Sequence, residues 1–63
     1  PGPPPDVVGQ DVTAAEQSLH SSGYSTAAHP WAASCSAMNV VMQQVPPRYD
    51  TVQLFYCASP SAS

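Results

Sequence analysis

The chain has 63 residues, of which 43% are hydrophobic and only 8% charged; four carboxylates, Asp6, Asp11, Glu16 and Asp50, face the single cation Arg48, and the net charge is -3. That length admits one domain with a small core, marginal on hydrophobic burial alone, so an additional staple is expected. Phosphate affinity is built from Lys and Arg, so this composition excludes a nucleic-acid-binding protein and argues against anionic lipid or an anionic wall polymer, leaving uncharged saccharides and peptides as candidate partners.

Residues 1–5 are rich in Pro and Gly, cannot donate a regular hydrogen-bond ladder, and read as an extended linker. The folded unit is expected over residues 6–58, and residues 59–63, small, polar and proline-interrupted, as a flexible tail. No apolar run approaches the roughly 20 residues that span a bilayer, so membrane association is expected only through a parent protein.

Val7 and Val8, ended by Gly9, predict a brief strand and a tight turn. A helix follows. Asp11 is a good N-cap, Val12, Ala15 and Leu19 share one face, and Gly23 stands where a left-handed C-cap is wanted. Thr13 with Glu16 offers a competing capping box one turn later. Residues 24–36, with His29, Pro30 and Trp31 among small side chains, read as strand edge and loop. Residues 38–44 and 51–57 are strand-like runs separated by Pro46 and Pro47, which predicts an antiparallel hairpin. In the second run Val52, Leu54 and Tyr56 alternate with Gln53, Phe55 and Cys57, so one face can meet the helix while the other is mixed. A hairpin centred near Pro47 and Arg48 sets Met38 opposite Cys57.

Cys35 and Cys57 are the only cysteines. An even pair in a small, lysine-free chain fits a disulfide formed in an oxidising compartment, the alternative being two buried thiols. The hairpin register makes a bridge geometrically feasible, provided the Cα atoms approach within about 7 Å. A zinc site is disfavoured, because His20 and His29 lack the paired spacing of structural zinc ligands.

The residues Pro5-Asp6-Val7-Val8-Gly9-Gln10, then Ala15, Leu19 and Gly23-Tyr24, then Val41, Gln44-Val45-Pro46 and Val52-Gln53-Leu54 resemble the PASTA family, the modules appended to penicillin-binding proteins and bacterial serine/threonine kinases. The resemblance covers most of the chain from Pro5 to Tyr56. It implies an α+β, β-α-β-β fold with one helix packed on a small three-stranded sheet. It also implies a non-enzymatic, extracytoplasmic role in the bacterial cell envelope, in peptidoglycan synthesis or sensing, with muropeptides, β-lactams or a neighbouring catalytic domain as partners. A single module favours a penicillin-binding protein as parent; a kinase sensor or a small secreted envelope protein is the alternative, as is a structural or allosteric domain with no peptidoglycan ligand. Two departures stand out. Pro46-Pro47-Arg48-Tyr49-Asp50 reaches the last strand without the family's glycine-punctuated connection, and the cysteine pair is foreign to typical members.

No catalytic, metal or cofactor motif organises the remaining residues. The carboxylates read as a cap (Asp11), a helix-surface residue (Glu16), a strand-entry residue (Asp6) and a turn residue (Asp50). Trp31, Arg48 and Tyr49 are the candidate ligand-binding residues, since an exposed aromatic beside a polar handle holds a sugar or a peptide. The competing role for Trp31 is to cap the core.

Overall fold

Helix α1 runs over Val12–Ser21 in a computed structural model that describes residues 2–61; the first residue of the expected linker and the last two of the expected tail lie outside the described residues. The Asp11 carboxylate accepts from the backbone N–H groups of Thr13 and Ala14 at 3.0 and 3.3 Å, which decides the helix start in favour of Asp11 over the Thr13–Glu16 box. At the other end Gly23 adopts φ +90°. Its N–H donates to the His20 carbonyl and that of Tyr24 to the Leu19 carbonyl, both at 3.0 Å, the paired bonds of a glycine-ended helix. Ten residues would be marginal as an isolated helix; Ala15 and Leu19, both fully buried, anchor this one on the sheet.

The sheet has three strands, β1 (Ser25–Pro30), β2 (Val41–Arg48) and β3 (Thr51–Tyr56), in the spatial order β1-β3-β2. The last strand in sequence is therefore the central one. β1 runs parallel to β3 without a register shift, and β2 is antiparallel to it. Val52 and Leu54 turn toward α1 and join Val7, Ala15, Leu19 and Val41 in the core, with Val12 and Tyr24 packed at its margin. Each of the larger side chains in this cluster contributes about 1.5–3 kcal/mol on burial.

One helix on a three-stranded sheet is the expected architecture, but the third strand is a different segment. Val7–Val8 is not a strand. Its N–H groups are satisfied by side chains instead: Val7 N–H donates to Gln44 Oε1 at 2.9 Å and Val8 N–H to Asp6 Oδ1 at 3.1 Å. Ladder-like bonds appear only beyond it, where Gly9 N–H donates to the Val41 carbonyl and Val41 N–H to the Gln10 carbonyl, both at 2.8 Å. The strand is Ser25–Pro30, within the stretch that reads as strand edge and loop.

The hairpin also differs in detail. Pro46 and Pro47 lie within β2 rather than ending it. An edge strand tolerates them because one side of its ladder is unpaired, and the register shift between Val45 and Arg48 absorbs them. The turn is Tyr49–Asp50, two residues further on than expected, and a second shift lies between Val41 and Gln43. The strand opens at Val41, so Asn39 and Val40, not Met38, face Cys57: Asn39 N–H donates to the Cys57 carbonyl and Cys57 N–H to the Val40 carbonyl.

Residues 31–40 carry the chain from the end of β1, past the end of β3, to the start of β2. The Cys35–Cys57 disulfide fastens this crossing, with Cα atoms 5.8 Å apart. Such a bond fits an oxidising, extracytoplasmic environment. No helix among the described residues is long and apolar enough to cross a membrane.

Candidate functional site

Strand alternation decides which side chains face away from α1. Val52 and Leu54 point into the core, so Thr51, Gln53 and Phe55 point to the opposite face of the sheet. The register sets Ala27 and Val45 beside Gln53, and His29 and Gln43 beside Phe55. Among the described residues no helix or strand packs over this face. Trp31, one residue beyond β1, continues the row that Ala27 and His29 begin.

The result is a connected aromatic cluster on the open face. The His29 ring lies 5.4 Å from Phe55 at 34°, and Trp31 meets Phe55 edge-on at 6.3 Å and 67°. Trp31 and Phe55 are half-buried and His29 is exposed. His29 Nε2 is hydrogen-bonded to Gln53 Oε1. A side-chain amide oxygen only accepts, so His29 Nε2 carries the proton. The imidazole Nδ1 and the Gln53 amide NH2 are not used in this bond. The register places no charged side chain beside Gln53 or Phe55, so this end of the face is uncharged, aromatic and edged with hydrogen-bonding groups; Arg48, opposite Thr51, stands at the other end.

The sheet does not bring the three sequence-predicted site residues together. Trp31 follows Pro30, which pairs with Tyr56, whereas Arg48 pairs with Thr51 at the other end of β3. About six residue steps separate these levels, or roughly 20 Å at the rise of a strand. Arg48 and Tyr49 stand at the hairpin tip, where Tyr49 is 91% exposed and adopts φ +57°. Phe55, which gives Trp31 its setting, is not among the predicted residues; its signal lay in the alternation of the last strand.

The polar residues elsewhere on the domain have structural tasks. Thr26 Oγ1 donates its only hydroxyl proton to Glu16 Oε2 at 2.9 Å, so His20 Nε2, 3.0 Å from Thr26 Oγ1, donates to that hydroxyl oxygen. Glu16 thereby ties α1 to β1 rather than standing free in solvent, and the hydroxyl proton goes to the carboxylate, not to the imidazole that would activate a nucleophile. Cys35 is bonded to Cys57 and carries no thiol.

A second concave surface lies at the N-terminal side. Pro3, Pro4, Val8, Tyr24, Pro46 and Pro47 line an open groove of about 620 Å³. The Pro-rich segment that forms one wall is fastened to the domain. Tyr24 Oη donates to the Gly2 carbonyl at 2.7 Å, and Gln44 Nε2 donates to the Pro5 carbonyl at 3.0 Å.

In comparison with known proteins, the chain matches no protein family, no curated protein and no solved structure.

Proposed function

We propose that this chain is a non-catalytic, extracytoplasmic module of the bacterial cell envelope, associated with peptidoglycan synthesis or sensing, and that it recognises muropeptide-like ligands on the open face of its sheet. The observation that carries the reading is the half-exposed cluster of Trp31, Phe55 and His29 with Gln53 beside it. Aromatic surface with amide and imidazole groups at its margin suits the apolar faces and hydroxyls of a sugar, or the backbone of a short peptide. The disulfide supports the compartment, and the residue pattern from Pro5 to Tyr56 that resembles PASTA modules supports the envelope setting, with a penicillin-binding protein as the favoured parent. Titration of a soluble disaccharide-peptide into 15N-labelled protein tests it. The Trp31 indole and the amides of Ala27, Gln53 and Phe55 are expected to shift. A flat response at millimolar ligand, or shifts confined to Arg48 and Tyr49, would sink this reading.

A second reading, a spacer or allosteric element that sets the position of a neighbouring catalytic domain, draws on the fastened Pro-rich segment. A lead-in held by Tyr24 and Gln44 transmits orientation in a way that a free linker does not. Tyr24→Phe removes the hydroxyl donor to Gly2. It is expected to raise fast-timescale motion of the Gly2 amide in 15N relaxation; unchanged relaxation would count against a held lead-in.

A further inference from the structure

The two edges of the sheet are treated differently. The outer edge of β2 is covered at its start by residues 9–12, through the bonds from Gly9 to Val41, Val41 to Gln10 and Val12 to Asn39. Further along, Pro46 and Pro47 have no N–H to offer, and the register shift there twists the strand. β1 forms the opposite edge; Pro30 blocks its C-terminal end, but Thr26 and Ala28 before it have no such protection and no charge. Its sequence is Ser-Thr-Ala-Ala-His-Pro, its register with β3 is unbroken, and Ser25, Ala28, His29 and Pro30 are exposed.

The ladder fixes which backbone groups are free. Ser25 N–H donates to the Asp50 carbonyl and Trp31 N–H to the Tyr56 carbonyl, so the odd-numbered residues of β1 point toward β3. Thr26 and Ala28 therefore present their N–H and C=O groups outward. Pro30 occupies the next outward position, where a missing N–H costs the sheet nothing. Lysines, bulges and covering segments are the usual means of blocking such an edge, and between Thr26 and Ala28 there are none.

We infer that β1 is a self-association edge, on which a second copy of this chain adds its own β1 antiparallel about a twofold axis through Ala27. The edge is complementary to itself: Thr26 of each copy opposes Ala28 of the other, each pair exchanging two backbone bonds, about four in all. Ala27 meets its own counterpart across the axis, where the small side chain allows close approach and no charges repel. The two three-stranded sheets become one six-stranded sheet with both aromatic clusters on the same surface. An edge this short buries less than the roughly 1,200–2,000 Å² of a standard interface, so the association is weak, with a Kd of roughly 100 µM to 1 mM. It does not depend on what the open face binds.

Sedimentation equilibrium of the oxidised chain from roughly 10 µM to 1 mM, a window that brackets this affinity, tests the inference. The average mass is expected to rise from 6.6 kDa toward about twice that value. Over the same range, hydrogen exchange at the Thr26 and Ala28 amides should slow, while Ala27 and His29, already bonded to β3, stay constant. Ala28→Pro removes an outward donor that the sheet does not use, and Ala27→Lys sets two charges against each other across the axis; both are expected to remain monomeric with an unchanged far-UV spectrum. A chain that stays at monomer mass to 1 mM overturns the inference, as does a dimer that both variants leave intact.

Discussion

Reducing the Cys35–Cys57 bond is expected to remove much of the stability of this domain. The bond closes a loop across a sequence separation of 22 residues. On the chain-entropy relation, opening such a loop returns about 11 cal/mol/K to the unfolded ensemble, or about 3.4 kcal/mol at 25 °C. A domain of this size has in total roughly 3–9 kcal/mol, so the bond accounts for a third of it or more. With a urea dependence of about 1 kcal/mol/M for so small a protein, the unfolding midpoint should fall by about 3 M. Equilibrium unfolding in urea, followed by far-UV circular dichroism with and without a phosphine reductant, measures this on one sequence. A Cys35→Ala/Cys57→Ala double variant should reproduce the reduced midpoint to within about 1 M, a small difference being left for the lost side-chain volume at the buried Cys57. A reduced midpoint within about 0.5 M of the oxidised one at unchanged slope would refute the reasoning. The crossing segment would then be held by its backbone bonds to Cys57 and by the bond from Ser61 N–H to the Cys35 carbonyl, and the disulfide would be redundant.

Three further perturbations probe the core, the Pro-rich lead-in and the hairpin tip. Leu54→Ala empties the centre of the fully buried cluster and is expected to cost about 2–5 kcal/mol in urea unfolding, enough to leave the reduced protein unfolded. Gln44→Ala removes both the acceptor for Val7 N–H and the donor to the Pro5 carbonyl; it should cost about 1–3 kcal/mol and speed hydrogen exchange at the Val7 amide. Tyr49→Gly relieves a left-handed backbone at a side chain that is 91% exposed, so it should raise the midpoint by the equivalent of about 0.5–1 kcal/mol. A loss of stability there would mean that the tyrosine makes contacts its exposure does not suggest.

The legible parts of the fold are those whose cause is local. Asp11, the spacing of Ala15 and Leu19, and Gly23 specify α1 through bonds made within a turn or two of themselves. β3 shows itself by alternation, because one of its faces is buried. β1 is different. Ser-Thr-Ala-Ala-His-Pro carries no hydrophobic rhythm, since only small side chains lie between its exposed edge and α1, and it is a strand because β3 offers it a ladder. Val7–Val8 fails in the opposite sense. It has β-branched residues but no strand partner, and the group that satisfies Val7 N–H is a glutamine side chain 37 positions away. The same holds for the candidate site. Trp31 is a visible candidate, but grouping it with Arg48 and Tyr49 assumes that the loop after β1 and the hairpin turn are neighbours. The parallel pairing of β1 with β3 places them at opposite ends of the sheet, and Phe55 becomes the partner of Trp31 instead.

A single feature of the topology links the staple, the aromatic cluster and the free edge. Because the last strand in sequence is the central one, β1 and β2 both depend on it, and the chain between them must cross its end. That crossing has no regular secondary structure, so it is the part of the domain with most to gain from a covalent bond, and Cys35 within it is bonded to Cys57 just past the end of β3. Trp31 is the first residue of the crossing, and Phe55 lies two residues before Cys57, which follows the end of β3. The bond therefore fastens the crossing that begins at Trp31 to the chain just beyond Phe55. The same topology leaves β1 on the outside with one ladder filled and one empty, since the residues that follow it are spent on reaching β2. The segment that caps the other edge, residues 9–12, is the entry to α1 and is held there by the helix it begins. One edge is thus covered by the chain's own connections, and the other is open to a second chain.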